Sequence, residues 1–242
     1  MAAQHVGAAA WLPHLCPLPG FGDSGVRPLE WYSISRYADH VVALCEQLEV
    51  RPHTIIGHSM GARITLDIGQ RYPEFARQLV AVSPSISGRL GFNINVLMTG
   101  EVGRKLLDVS RKVWPMATAG VMSTYWSPRH LGSEAVKRTT EDLRRSSWEA
   151  AMGTLRMLAE EDYSDRLSGI RQPTLVICGA RDYTIPPGDS HLAATRIPSA
   201  RLVILDGIHH WPTDEDHSRF IDVLLPFVDN HRHSVTTAGA AR

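Results

Sequence analysis

The sequence predicts an α/β fold built on a mainly parallel sheet, with a helical segment inserted into it. Apolar runs without polar alternation recur at 53–56, 79–82, 174–178 and 201–205, which is the pattern of strands covered on both faces. Helical periodicity separates these runs, and the gap between the second and the third contains helix-like stretches only. A chain of 242 residues is long enough for one large domain of this class with an insertion.

Composition and charge exclude several classes of function. Lys plus Arg and Asp plus Glu both number 25, so no net field would attract nucleic acid or an anionic membrane. No apolar run approaches the ~20 residues of a membrane span, and no signal-peptide pattern opens the sequence. The three cysteines are widely spaced, as expected of unpaired thiols in a reducing compartment. We therefore expect a cytoplasmic protein without a nucleic-acid partner.

The helix and strand signals before the insertion alternate regularly. From Ser33 onward, apolar side chains fall on one helical stripe, made up of Ile34, Tyr37, Val41, Leu44, Cys45 and Leu48. Arg51-Pro52 ends this helix, the strand at 53–56 follows, and a second helix runs to about residue 72 before Pro73. The strand at 79–82 completes a helix, strand, helix, strand order.

The most informative stretch is residues 54–63, TIIGHSMGAR, in which an apolar run breaks, presents a serine and restarts as a helix. A serine at the apex of a sharp strand-to-helix turn requires almost no side chain two positions before and after it, and Gly57 and Gly61 fit. The N–H of Met60, at the start of the helix, would then stabilise an oxyanion. These residues predict that Ser59 is a nucleophile. The alternative is a glycine-rich turn with an idle serine.

Residues 84–170 are predicted to form a helical unit. Helix-like runs lie at 103–113, 117–125, 134–145 and 148–159. The segment is rich in Trp and Met, which would suit a pocket for an apolar molecule, although such residues at helical spacing can equally form the segment's own core.

The two strands after this segment both lead into candidate catalytic residues. The strand at 174–178 precedes Asp182, and the strand at 201–205 precedes His209 and His210. A serine hydroxyl needs an imidazole to remove its proton, and the imidazole needs a carboxylate to fix its tautomer. A helix at about 216–228 follows, and residues 231–242 are expected to form a disordered tail.

Gly57-His58-Ser59-Met60-Gly61 resembles the nucleophile turn of the α/β-hydrolase superfamily, and the order Ser59, Asp182, His210 is similar to that of its catalytic triad. The resemblance implies a capped, esterase- or lipase-like serine hydrolase with residues 84–170 as the cap. It implies an acyl-enzyme on Ser59, a small apolar substrate with an ester, thioester or related acyl or carbon–carbon bond, and no cofactor. A serine at this position argues against the dehalogenase and epoxide-hydrolase branches, which use aspartate.

The start of the sequence departs from the resembled family. Residues 16–24 resemble the loop after its fourth strand, so residues 1–83 would form a truncated first part of the core and residues 171–230 the second part. His5-Val6-Gly7 is either a remnant of the turn that supplies the second oxyanion donor or part of a frayed terminus. Without the earlier strands the strand at 53–56 would have an open edge, and we expect either self-association through that edge or recruitment of residues 1–18 as its cover.

Three alternatives remain beside this hypothesis. His209 is the alternative base, although His210-Trp211-Pro212 matches the resembled motif better. A metal site is not predicted, because the crowded histidines and aspartates of 209–217 lack a His-x-x-x-His or Cys-x-x-Cys pattern. The rival function is a catalytically impaired ligand-binding or interaction protein; a native start at Met1 favours it, and a start assigned too far downstream favours the enzyme. Asp67 is interpreted as a solvent-facing or turn residue.

Overall fold

A computed structural model describes residues 18–90, 109–114 and 144–239, with isolated positions at 105, 137 and 140–142, and side chains up to residue 229. The predictions for His5 to Gly7 and for the open start of the chain lie outside these residues. So do those for most of the first three helices expected within the inserted segment.

The centre of the molecule is a four-stranded parallel sheet in the order β1-β2-β3-β4. The strands are β1 (Thr54–His58), β2 (Gln78–Val82), β3 (Thr174–Gly179) and β4 (Ala200–Leu205). All four strands lie within two residues of the predicted ones, and the α/β fold with a parallel sheet is confirmed. Because the strands are parallel, their carboxyl ends lie at one edge of the sheet.

Six helices are described from beginning to end, together with 3₁₀ turns at Leu29–Trp31 and Ser164–Gly169, and residues 109–113 are also helical. The helices are α1 (Ile34–Gln47), α2 (Met60–Arg71), α3 (Trp148–Glu160), α4 (Pro187–Arg196), α5 (Pro212–Glu215) and α6 (His217–Gly239). Serine caps fix two of their beginnings: Ser33 accepts a hydrogen bond from the amide of Arg36, and Ser147 accepts one from the amide of Ala150.

Helices cover both faces of the sheet, which explains the uninterrupted apolar runs of β2 and β3. On one face, Leu79, Ala81 and Val176 pack with residues of α2 and α4. On the other face, Val80 and Leu175 contact a cluster from α6. Alternate residues of one strand enter different clusters because successive side chains point to opposite faces.

Helix α3 is the part of the inserted segment that the structure describes most fully. Met152 and Met157 are buried in a cluster with Tyr32 and Tyr37, so these two methionines belong to a packed core. The amide of Ser147 donates to the carbonyl of Gly20 at 2.9 Å. The chain just before α1 therefore lies against the beginning of α3.

Strand β1 is at one end of the described sheet. Among the residues that the structure describes, it pairs with β2 alone, and Ile56 is 46% exposed although its register partner Val80 is fully buried. Helix α6 covers Val80 on that face, whereas Ile56 is not part of its cluster. Self-association through this edge stays a prediction.

Helix α6 is longer than the sequence suggests. It continues to Gly239, whereas the sequence predicts a disordered tail from residue 231. No glycine or proline lies between Pro226 and Gly239, so nothing in the covalent chain interrupts helical propagation there. Neither α6 nor another helix within the described ranges combines the length and apolarity that crossing a bilayer requires.

Candidate active site

Three of the four described strands are followed by a residue that the sequence predicts to be catalytic. Ser59 directly follows β1, Asp182 lies three residues after β3, and His210 lies five residues after β4. The parallel topology brings these strand ends to the same edge of the sheet, which is where open α/β sheets bind their ligands.

Ser59 occupies a strained backbone conformation between β1 and α2. Its φ of 54° and ψ of −116° lie in a region that residues with a side chain seldom adopt. Its amide donates to the carbonyl of Val82 at 2.8 Å, which ties the turn to the end of β2. The Ser59 side chain makes no capping hydrogen bond to α2, although serine at this position commonly does. The turn therefore presents a hydroxyl that is not used to begin its own helix.

The two glycines of this turn have different roles. A Cβ on Gly57 would lie 2.1 Å from the carbonyl oxygen of Gly61 and 2.5 Å from Thr65 Oγ1, so the backbone itself excludes a side chain there. A Cβ on Gly61 would meet no heavy atom within 4 Å. The steric requirement that the sequence suggests at both positions thus holds at Gly57 and not at Gly61, because only Gly57 is crossed by another backbone segment.

The amide of Met60 lies at the beginning of α2. The first amides that donate back to the carbonyl of Ser59 are those of Ala62 and Arg63, at 3.1 and 3.2 Å. The amide of Met60 precedes them and so lies outside the hydrogen-bond ladder of the helix. The Met60 side chain packs against the core cluster of α1 and α3, which limits movement of this amide.

Asp182 and His210 form a buried hydrogen-bonded pair. His210 Nδ1 and Asp182 Oδ2 are 2.7 Å apart, and the Asp182 side chain is fully buried. The other oxygen, Oδ1, accepts from the amides of Thr184 and Ile185, both at 2.9 Å. One carboxylate therefore shapes its own turn and holds the imidazole. Since an ionised carboxylate only accepts, Nδ1 of His210 carries a hydrogen and Nε2 is left as the basic nitrogen.

Glu215, in α5, fixes the loop that contains both histidines. Its Oε2 accepts from the amide of His209 at 2.9 Å, and its Oε1 accepts from the amide of Trp211 at 3.0 Å. The same Oε2 lies 2.8 Å from His209 Nδ1. Each adjacent histidine thus has its own carboxylate, and the exposed ring of Tyr183 also contacts His209, edge to face at 5.4 Å.

His58 connects the serine turn to this histidine loop. Its Nε2 lies 2.7 Å from the carbonyl oxygen of His210, and its ring lies 4.7 Å from the His210 ring and 4.6 Å from the Trp211 ring, between centroids. Burial, and to a lesser extent the charge that His210 can carry, lower the pKa of His58 to about 3. His58 is accordingly neutral at ordinary pH.

No metal site is formed by the side chains that the structure describes, since no three of their His, Cys, Asp or Glu groups cluster suitably. In the crowded stretch 209–217, Nδ1 of His209 contacts the carboxylate of Glu215, and Nδ1 of His210 contacts the carboxylate of Asp182.

Sequence reasoning missed three elements of this region. The contacts of Glu215 could have been predicted in part, because Pro212 is typical of a helix start and Glu215 lies in the same turn, where a carboxylate can accept from nearby amides. The contact of His58 joins residues 152 positions apart and leaves no local signal. Asp67 is fully buried, accepts from Tyr163 at 3.0 Å and pairs with Arg71, so its interpretation as a solvent or turn residue is wrong.

Comparisons with known proteins give a consistent result. Residues 11–217 match the family model described as Serine aminopeptidase, S33. An uncharacterized protein of Mycobacterium tuberculosis is 27% identical over 230 residues, covering 88% of this chain and 66% of the relative. The chain thus spans slightly less than two thirds of that relative's length.

Two further relatives are hydrolases by name. A pimeloyl-[acyl-carrier protein] methyl ester esterase of Aeromonas hydrophila is 26% identical, covering 91% of this chain and 86% of the esterase. The crystal structure of a hydrolase from Pseudomonas aeruginosa superposes with a TM-score of 0.68 at 25% identity, covering 87% of this chain and 77% of that one.

Proposed function

The chain belongs to the Serine aminopeptidase, S33 family and has the α/β-hydrolase fold, and on this premise we propose that it is a serine hydrolase acting through an acyl-enzyme on Ser59. The substrate we propose is a small apolar molecule with an ester, thioester or related acyl or carbon–carbon bond. The methyl ester esterase among its relatives supports the ester class.

In the proposed reaction Ser59 Oγ attacks the acyl carbon while His210 Nε2 takes the hydroxyl proton. Asp182 keeps Nδ1 protonated and stabilises the imidazolium that forms. The negative charge on the acyl oxygen faces the amide of Met60 and the positive end of α2. His210 then returns the proton to the leaving group, and a water molecule repeats the sequence to release the acid and restore Ser59.

The observation that carries this proposal is the buried hydrogen bond between Asp182 and His210, which lies close to the strained turn of Ser59. His209 has a carboxylate partner too, but Glu215 also accepts two loop amides. The His210 ring, in contrast, lies against His58, the neighbour of Ser59. This arrangement favours His210 over His209 as the base.

The test is hydrolysis of p-nitrophenyl esters with short to medium acyl chains by wild type, Ser59→Ala and the surface control Ser168→Ala. We expect Ser59→Ala to lose at least about 1000-fold in kcat, since removing the nucleophile removes the covalent route. A fluorophosphonate probe should add to Ser59 in the wild type, as read by peptide mass. Equal ester rates in wild type and Ser59→Ala would overturn the proposal.

A parallel assay with aminoacyl p-nitroanilides compares amide cleavage with ester cleavage, because the family description names an aminopeptidase. In the same series His210→Ala should lose nearly as much activity as Ser59→Ala, and His209→Ala should lose little. The opposite order for the two histidines would transfer the role of base to His209.

A further inference from the structure

His58 lies between two parts of the site that originate far apart in the sheet. Ser59 follows β1 and His210 follows β4, and these strands are at opposite ends of the described sheet, with β2 and β3 between them. At about 4.8 Å between neighbouring strands, three intervals separate the two strand axes by roughly 14 Å. The loop after β4 must therefore extend across the sheet to bring His210 toward Ser59.

The hydrogen bond between His58 and the carbonyl of His210 connects the turn after β1 to the loop after β4. A carbonyl oxygen only accepts hydrogen bonds, so at 2.7 Å from the carbonyl of His210 the Nε2 of His58 must carry the hydrogen. This fixes the tautomer of His58 with a bare Nδ1. Because His58 directly precedes Ser59, the hydrogen bond joins the nucleophile's own turn to the backbone of the proposed base.

The backbone of the histidine loop is held on both sides of His210. Glu215 accepts from the amides of His209 and Trp211, and His58 donates to the carbonyl of His210 between them. Asp182 fixes Nδ1 of the His210 ring. Among these contacts, the hydrogen bond from His58 is the one that connects the histidine loop to the turn that contains Ser59.

We propose that His58 is a positioning residue, which through its Nε2–H donor sets the distance between the His210 imidazole and the Ser59 hydroxyl. The inference rests on the proposed function, in which His210 is the base. A small displacement of a catalytic group raises the barrier to proton transfer without changing how the substrate is bound. Loss of this donor should therefore lower kcat and leave KM nearly unchanged.

The experiment compares two amides of different length. In His58→Gln the side-chain nitrogen reaches about as far as Nε2 of histidine and can donate to the same carbonyl, whereas in His58→Asn it is one methylene too short. We expect His58→Gln to keep kcat for p-nitrophenyl butyrate within about 3-fold of wild type and His58→Asn to lose about 10-fold or more, both with unchanged KM. His58→Phe keeps a flat ring without a donor and should behave like His58→Asn.

Melting temperatures and the rate of fluorophosphonate addition to Ser59 accompany these assays. Addition should slow in His58→Asn in parallel with kcat while the protein remains folded. If His58→Phe fails to fold, the Gln and Asn pair decides alone. Full activity in His58→Asn, or equal losses in His58→Gln and His58→Asn, would overturn the positioning role. Those results are distinct from failure of the proposed function, which is read from Ser59→Ala keeping the wild-type rate.

Discussion

Arg63 and Glu161 fasten the helix that follows Ser59 to the end of α3. Arg63 is fully buried in α2, and its Nη2 donates to the carbonyl of Glu161 at 2.9 Å and lies 3.0 Å from its carboxylate. The guanidinium also lies over the ring of Tyr163 at 5.3 Å. Its Nε and Nη1 have no partner in the described structure. Arg63 thus holds the end of α3 to α2, although only part of its guanidinium group is hydrogen-bonded.

We expect the packing of Arg63 to matter more than its charge. Arg63→Ala should destabilise by about 3 kcal/mol because it leaves a buried cavity, whereas Arg63→Met fills that volume and should cost less than about 1 kcal/mol. Glu161 is partly exposed and keeps Arg166 at 3.5 Å, so it is not stranded in either variant. Urea unfolding measures both values. Equal losses in the two variants would show that the ion pair dominates.

Asp182 should respond differently to amide and alanine substitution, because its two oxygens have different partners. Asp182→Asn keeps an oxygen for the amides of Thr184 and Ile185 but presents an NH₂ group to His210. We expect a loss of about 1000-fold or more in kcat at a melting temperature close to that of wild type. Asp182→Ala should lose similar activity and also about 2 kcal/mol of stability, because it removes the oxygen that accepts from these two amides. Equal melting temperatures for the two variants would contradict this division.

Glu215 should affect catalysis through the backbone of the loop that contains His210. Glu215→Ala removes the acceptor of two loop amides, and we expect kcat to fall about 10- to 100-fold, which corresponds to about 1 to 3 kcal/mol for hydrogen bonds to a charged group. Glu160→Gln, which neutralises an exposed glutamate in α3, is the matched control and should keep wild-type kcat. The expectation fails if the two variants have the same ester hydrolysis rate.

The two glycines flanking the serine turn should differ strongly in tolerance. Gly57→Ala would place a methyl group 2.1 Å from a backbone oxygen that cannot move aside without displacing α2, and we expect at least about 3 kcal/mol of destabilisation. Gly61→Ala meets open space inside a helix, where alanine is favoured over glycine by about 1 kcal/mol. Thermal melting should therefore place Gly61→Ala at or above wild type. A Gly61→Ala variant as unstable as Gly57→Ala would disprove this asymmetry.

The strands and the helices that pack on them could be predicted from the sequence because each of them leaves a local signal. Strands β2 and β3 are covered on both faces, which makes their apolar runs continuous, and α1 has one apolar stripe because one side of it is buried. The serine turn is recognisable for the same reason. Gly57 is required by a backbone crossing only four residues away in the chain.

Contacts between residues far apart in the sequence leave no such local signal. His58 and His210 meet across 152 residues, and Asp67 meets Tyr163 across 96, so local composition cannot distinguish these buried groups from solvated ones. Asp67 resembles any polar residue on an amphipathic helix until Tyr163 and Arg71 are seen to cover it. Pairings of this kind depend on how separate elements pack, which periodicity does not specify.

His58 should make the protein sensitive to acid, with a sign that follows from its lowered pKa. Burial lowers the pKa of His58 to about 3 in the folded state, whereas an unfolded histidine titrates near 6.5. Above that pH both states are neutral at this residue and it contributes nothing to pH dependence. Below it the unfolded chain binds a proton that the folded protein excludes, so stability falls as the pH falls from 6.5 toward 3.

His58→Gln removes this titration while retaining a donor for the carbonyl of His210. The difference in melting temperature between His58→Gln and wild type should therefore shift in favour of the variant as the pH is lowered from 7 to 4.5. The slope for one excluded proton is at most about 1.4 kcal/mol per pH unit. His191→Gln, which replaces a histidine on the exposed side of α4, is the control and should follow the wild-type curve. Parallel melting curves for His58→Gln and wild type across this range would mean that His58 takes up a proton in the folded protein as readily as in the unfolded chain, which would contradict its neutrality at these pH values.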